Sequence, residues 1–100
     1  MNTKTRSLKD LEKEHGELTF GEVLRSFRLS DEETLSTFAK ELGISIGNLC
    51  DLEKGRKLPS PVRAAKIARK LGLSQELLIQ LCLQDQLRAA KLDYKVSVAA

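Results

Sequence analysis

The sequence predicts an all-α domain of five short helices, and three observations carry that prediction. Apolar residues recur at helical spacing in five successive blocks. Each block opens on a Ser or Thr, at Thr19, Thr34, Ser45, Ser60 and Ser74, and three of them stop at a Gly, at Gly43, Gly55 and Gly72. Aromatics are scarce, with only Phe20, Phe27, Phe38 and Tyr94 and no Trp, so the core must be built from Leu, Ile, Val and Ala, which suits helices.

Residues 1–16 are charged, and Leu8 and Leu11 are their only aliphatics after Met1. Ser7 could cap a short helix ending near His15 and Gly16, so residues 1–18 are expected to form an arm or a loosely docked helix. His15 has no catalytic partner in the sequence.

The first helix of the domain proper starts after Thr19. Phe20, Val23, Leu24 and Phe27 fall at i, i+3, i+4 and i+7, on one face. Glu22, three residues after Thr19, completes the pattern of a capping box. The acidic link Ser30-Asp31-Glu32-Glu33 leads to a second helix from Thr34, whose buried face is expected to be Leu35, Phe38, Ala39 and Leu42. Gly43 ends it, a turn position that calls for positive φ.

The third helix runs from Ser45 to about Lys54. Its inward residues are Leu49 and Leu52, which leaves Ile46, Gly47, Asn48, Cys50 and Asp51 facing out. Gly55 to Pro59 is a basic loop, and Ser60-Pro61 starts a fourth helix with proline in the first turn, where its missing N–H costs nothing. That helix is expected to bury Val62, Ala65, Ile67, Ala68 and Leu71. The fifth, from Ser74 to about Lys91, carries Leu77, Leu78, Leu81, Cys82 and Leu87, with Ile79 and Leu83 off that stripe. Surplus apolar surface of this kind suggests that a second chain packs there, with Leu78, Ile79, Cys82 and Leu83 as the expected interface. The domain is thus expected over 19–91. The tail, residues 92–100, switches to a period of two around Tyr94, Val96 and Val98, as in a strand added to a partner or a disordered end.

Charge is uneven. The net charge is +3 and the pI about 9.0. Residues 17–33 hold two basic and five acidic side chains, whereas residues 54–70 hold seven basic ones and no acid. Such a block is a candidate phosphate-facing patch, or else a solvated helix face. Cys50 and Cys82 are the only cysteines, far apart and with a single His in the chain, so the sequence offers no metal site and suits a reducing cytoplasm. No apolar run is long enough to span a membrane. No carboxylate pair, Ser–His–Asp set or phosphate-cradling Gly loop stands out, so the expected function is not enzymatic and needs no cofactor.

Two helices of about eight residues joined by a tight Gly turn suggest a helix-turn-helix, in which the second helix enters the major groove of DNA. The stretch ELGISIGNLCDLEKGRKLPSP resembles the motif core of the Cro/C1-type (xenobiotic-response-element) helix-turn-helix family. The resemblance covers Thr19 to about Leu77. It is carried by Ala39, Gly43, Ile44 and Ser45, by the run Leu52-Glu53-Lys54-Gly55-Arg56, by Pro59, and by Ile67-Ala68 with Leu71-Gly72. It implies a compact lambda-repressor-like domain. It also implies a structural ion pair between Arg28 on the first helix and Glu53 before the glycine.

The sequence departs from the family where its second helix often starts with a glutamine that holds a phosphate. Leu35 stands there, so Ser36 or a backbone N–H must replace that contact. The outward face of the third helix also lacks Arg and Gln. On it Asn48 could bond an adenine edge or a phosphate, Ile46 could touch a thymine methyl, and Asp51 could accept from a cytosine amine but would repel phosphates, beside Gly47 and Cys50. Thr34, Ser36, Ser45, Lys54, Arg56 and Lys57 are the expected phosphate contacts. Lys40 is a weaker candidate, and Arg63, Lys66, Arg69 and Lys70 read as a solvated face.

The resemblance implies a homodimeric transcriptional repressor on a double-stranded operator. It extends to an antitoxin that represses its own operon and binds a toxin protein. The rival is an adaptor that uses the same scaffold to bind protein and reads little DNA sequence.

Overall fold

The computed structural model describes residues 18–99. The expected N-terminal helix from Ser7 to His15 lies outside them. Among the described residues the fold is all-α, with five helices: α1 (Phe20–Ser30), α2 (Leu35–Leu42), α3 (Ile46–Glu53), α4 (Pro61–Leu71) and α5 (Gln75–Ala89). Thr19, Thr34, Ser45, Ser60 and Ser74 cap them, each accepting the backbone N–H three residues on.

The five C-termini share one geometry. The residue after the last turn is left-handed, and the next N–H reaches back five residues to a helix carbonyl, as in a Schellman motif. After α2 and α4 the residue that follows the left-handed one is apolar, Ile44 or Leu73, and both pack against the core. After α1 and α5 the left-handed residues are Glu32 (φ 56°) and Lys91 (φ 59°), where the sequence carries no glycine signal.

α4 packs along α5, α1 rests on α3 and α5, and α2 lies against α3. The core is Phe20, Val23, Leu24, Phe38, Ala39, Leu49, Ala64, Ile67, Ala68, Leu78 and Cys82 with their neighbours. Phe27 stacks on Phe38 at 6.2 Å between ring centroids, tying α1 to α2. Leu18, expected in the arm, is buried; with Val23 it occupies the two positions of a hydrophobic staple around the Thr19 cap.

Two helix faces differ from expectation. On α4 the buried stripe is Ala64, Ile67 and Ala68, with Leu71 packed against it, so Val62 is 66 % exposed and Ala65 only half-buried. Two residues before Ala64 along a helix is about 200° of rotation, the far side. On α5 the buried stripe is Leu78, Leu81, Cys82 and Asp85. Leu78 and Cys82 lie wholly inside the monomer, and the Cys82 thiol donates to the Pro59 carbonyl at 2.9 Å. They cannot form a face between chains, and of the four residues expected there only Ile79 and Leu83 keep partial exposure.

Asp85 is a buried carboxylate on an otherwise apolar stripe. It accepts the Phe20 N–H at 2.9 Å, which satisfies one of the free N–H groups at the start of α1, and it accepts from Arg88 at 3.0 Å. Burial nevertheless pushes its pKa above the ordinary aspartate value.

The tail has no assigned strand, but it is held. Gln84 donates to the Tyr94 carbonyl at 2.7 Å and accepts the Val96 N–H at 2.8 Å, and Gln80 accepts the Val98 N–H at 3.3 Å. The side-chain amides, one helical turn apart, act as a strand edge for alternate residues. The period of two in the sequence therefore meets α5 of the same chain.

Candidate nucleic-acid interface

The site begins with two helices of eight residues and the turn between them. Gly43 ends α2 at φ 71°, the Ile44 N–H closes on the Ala39 carbonyl at 3.0 Å, and Ser45 starts α3 at once. Lys70 adds a bond from its ammonium to the Leu42 carbonyl at 3.1 Å, so it seals the end of α2 rather than lying free on a solvated face. The turn is therefore fixed from both sides.

The inner face of α3 is locked. Leu49 and Leu52 are buried. Gly21 of α1 lies directly on the end of α3, where a Cβ would press into the carbonyl oxygens of Leu52 and Glu53. Beside it Arg28 donates to both carboxylate oxygens of Glu53, at 2.8 and 3.0 Å, and to the Glu33 carbonyl at 3.1 Å. The side chains of Arg28 and Glu53 are 12 % and 4 % exposed. The Glu53 hydrogen bond holds the Arg28 pKa above its usual value despite the opposing cost of burial. One bidentate pair thus spans three places: α1, the link after it, and the end of α3.

The outer face is open. Ile46 is 50 % exposed, Gly47 is exposed, and Asn48, Cys50 and Asp51 are partly so. Thr34, Ser36, Ser45, Lys54, Arg56 and Lys57 are all exposed. Thr34 and Ser45 already serve as caps, to the N–H groups of Thr37 and Asn48.

The end of α3 sets the course of the basic loop. Gly55, at φ 76°, lets the N–H groups of Arg56 and Lys57 return to the Asp51 carbonyl, at 2.9 and 3.3 Å. This folds the loop back over the helix. Arg56 then pairs with the Asp51 carboxylate at 3.3 Å, and Lys57 lies 3.9 Å from its other oxygen while donating to Asn48 at 3.0 Å. After α2 and α4 the residue beyond the left-handed glycine packs on the core; here an ion pair takes the place of that contact. Two expected base readers and two expected phosphate contacts are therefore joined in one network.

Sequence reasoning did not single out Gly21, Asp85 or that network. Glycine in the first turn of a helix, where Ala is favoured, was a readable signal for close approach. An acid and a base five residues apart across a glycine helix stop was a readable signal for the network.

A family model for the helix-turn-helix domain matches residues 19–81. The match spans most of the described fold, and the chain belongs to that family of DNA-binding regulators. Its likeness to the Cro/C1-type pattern is consistent with this assignment. Comparison with curated proteins and with solved structures gave no match. No helix among the described residues is long and apolar enough to cross a membrane.

Proposed function

We propose that the protein is a sequence-specific transcriptional repressor that binds an operator as a homodimer in the cytoplasm, and that it serves as the antitoxin of an operon it represses. One observation supports the DNA-binding part above all: α3 is held by its inner face while its outer face and the folded-back basic loop stay open together. A helix presented in this way can enter the major groove, with Ile46, Gly47, Asn48, Cys50 and Asp51 toward base edges. Lys54, Arg56 and Lys57, with Thr34, Ser36 and Ser45 at helix starts, would then meet phosphates. The domain is taken as 19–91 with an arm before it and a tail after it. Ile79 and Leu83 remain the face for a second copy.

The test is selection of bound duplexes from a random pool. The expected product is a two-fold symmetric sequence with half-sites about 34 Å apart, one helical turn. Equal dissociation constants for the selected and random duplexes at moderate salt would reject operator reading. Light scattering should give twice the 11.1 kDa chain mass. A toxin gene beside this one, and a complex with its product, would support the antitoxin role.

A further inference from the structure

We infer that Asp51 is a positioning residue for DNA binding: its carboxylate occupies the place of a DNA phosphate on Arg56 and Lys57 in the free protein, and so suppresses binding that is independent of sequence. This rests on the DNA-binding proposal above.

The geometry is built into the backbone. The return of the Arg56 and Lys57 N–H groups to the Asp51 carbonyl stations both side chains over the Asp51 side chain. Their meeting therefore does not depend on two long side chains finding one another. Arg56 and Lys57 are each 60 % exposed, whereas Asp51 is 28 % exposed, so the cations face solvent and the carboxylate lies beneath them. The cations can leave for a phosphate; the carboxylate stays on the groove-facing side of α3.

The exchange has a consequence for specificity. Once phosphates take Arg56 and Lys57, Asp51 is left without its partners against a polyanion. Only a base edge that offers a donor, such as the cytosine amine, restores a hydrogen bond. At other sequences the phosphate contacts form against a repulsive carboxylate. The same network also fills the Asn48 carbonyl oxygen with Lys57, so that reader too is released only when Lys57 moves. Building an unfavourable term against wrong sites is a general route to discrimination.

The test is D51N, a near-isosteric change on the surface, measured by fluorescence anisotropy on a mixed-sequence duplex of about two helical turns over a range of salt. D93N, an exposed carboxylate in the tail, is the control for net charge. D51N should bind mixed-sequence DNA about three- to tenfold more tightly than wild type, the effect of freeing two exposed ion pairs. Its plot of log K against log salt should keep the wild-type slope to within about one, because the same two cations meet phosphates in both complexes. D93N should not tighten binding by as much. In an R56A/K57A background D51N should give no gain, because the cations it releases are gone. Equal behaviour of D51N and D93N, or a gain that survives without Arg56 and Lys57, would overturn the role of Asp51 and leave DNA binding intact. A wild-type protein that binds no duplex even at low salt would overturn the DNA-binding proposal itself, and the role of Asp51 with it.

Discussion

Arg28–Glu53 and Arg56–Asp51 are the same chemistry, with carboxylates two residues apart on α3, in opposite surroundings. The first is bidentate at 2.8 and 3.0 Å, with both side chains nearly covered. The second is a single contact at 3.3 Å, with its arginine 60 % exposed. The first joins α1 to the end of α3 and cannot exchange partners without exposing a buried carboxylate. The second sits where water or phosphate competes for the guanidinium on equal terms. Burial and geometry, not the identity of the pair, separate an architectural contact from an exchangeable one.

The largest effect should come from Glu53. E53Q removes the charge that Arg28 faces and leaves a nearly covered guanidinium unpaired. The expected loss is about 3 kcal/mol or more, read by urea denaturation as a lower midpoint with an unchanged slope. A loss under about 1 kcal/mol would place this pair with surface pairs.

Gly21 makes the same point from the backbone. G21A forces a methyl group against the carbonyl oxygens of Leu52 and Glu53 and must shift α1 from α3. Overpacking of this kind costs about 1–3 kcal/mol. Combined with E53Q it should be less than additive, since both act on one junction.

The outer pair is tested by binding instead. R56A/K57A should weaken duplex binding by about tenfold or more at moderate salt and flatten the salt dependence by up to about two. The midpoint of thermal unfolding should stay close to that of wild type. If toxin binding survives while operator binding is lost, the adaptor reading of the scaffold becomes unnecessary; loss of partner binding with DNA binding retained would favour it.

Asp85 is an intermediate case, buried like Glu53 but with Arg88 as its charged neighbour. Its pKa is raised, so the folded chain holds this proton more tightly than the unfolded chain. Its contribution to stability is therefore greatest at low pH. That contribution declines as pH rises from the unfolded aspartate value, about 3.9, through the folded one. D85N should remove this decline from the pH dependence of the urea midpoint.

The smallest effect is expected from D51N on stability, within about 0.5 kcal/mol of wild type by denaturation. A large loss would mean that Asp51 is architectural like Glu53.

Much of the fold was legible because caps and stops are local chemistry. Ser or Thr before an apolar period and Gly after it located the helices, and the helix-turn-helix followed from Gly43 and Ser45. The left-handed ends at Glu32 and Lys91 were not legible, because neither side chain favours that conformation; what accompanies it is the backbone closure of Glu33 on Arg28 and of Leu92 on Leu87. The α4 face departs from the apolar pattern because Val62 is apolar yet lies in the first turn, opposite Ala64. Leu78 and Cys82 drop out of the expected dimer face because they are buried in the core of their own chain, and periodicity cannot distinguish a neighbouring helix from a second chain. The candidate site was legible as a set of residues and not as a network. Asn48 and Asp51 were expected as base readers and Arg56 and Lys57 as phosphate contacts, and only the backbone return after Gly55 joins them.

DNA should meet this protein on α3 and its basic loop. An amide chemical-shift titration of the ¹⁵N-labelled protein with a duplex reads that surface residue by residue. Shifts should concentrate at residues 34–36, 45–51 and 54–57, while α5 and the tail stay still. Shifts confined to α5 and the tail, or none with DNA in excess at low salt, would contradict this assignment.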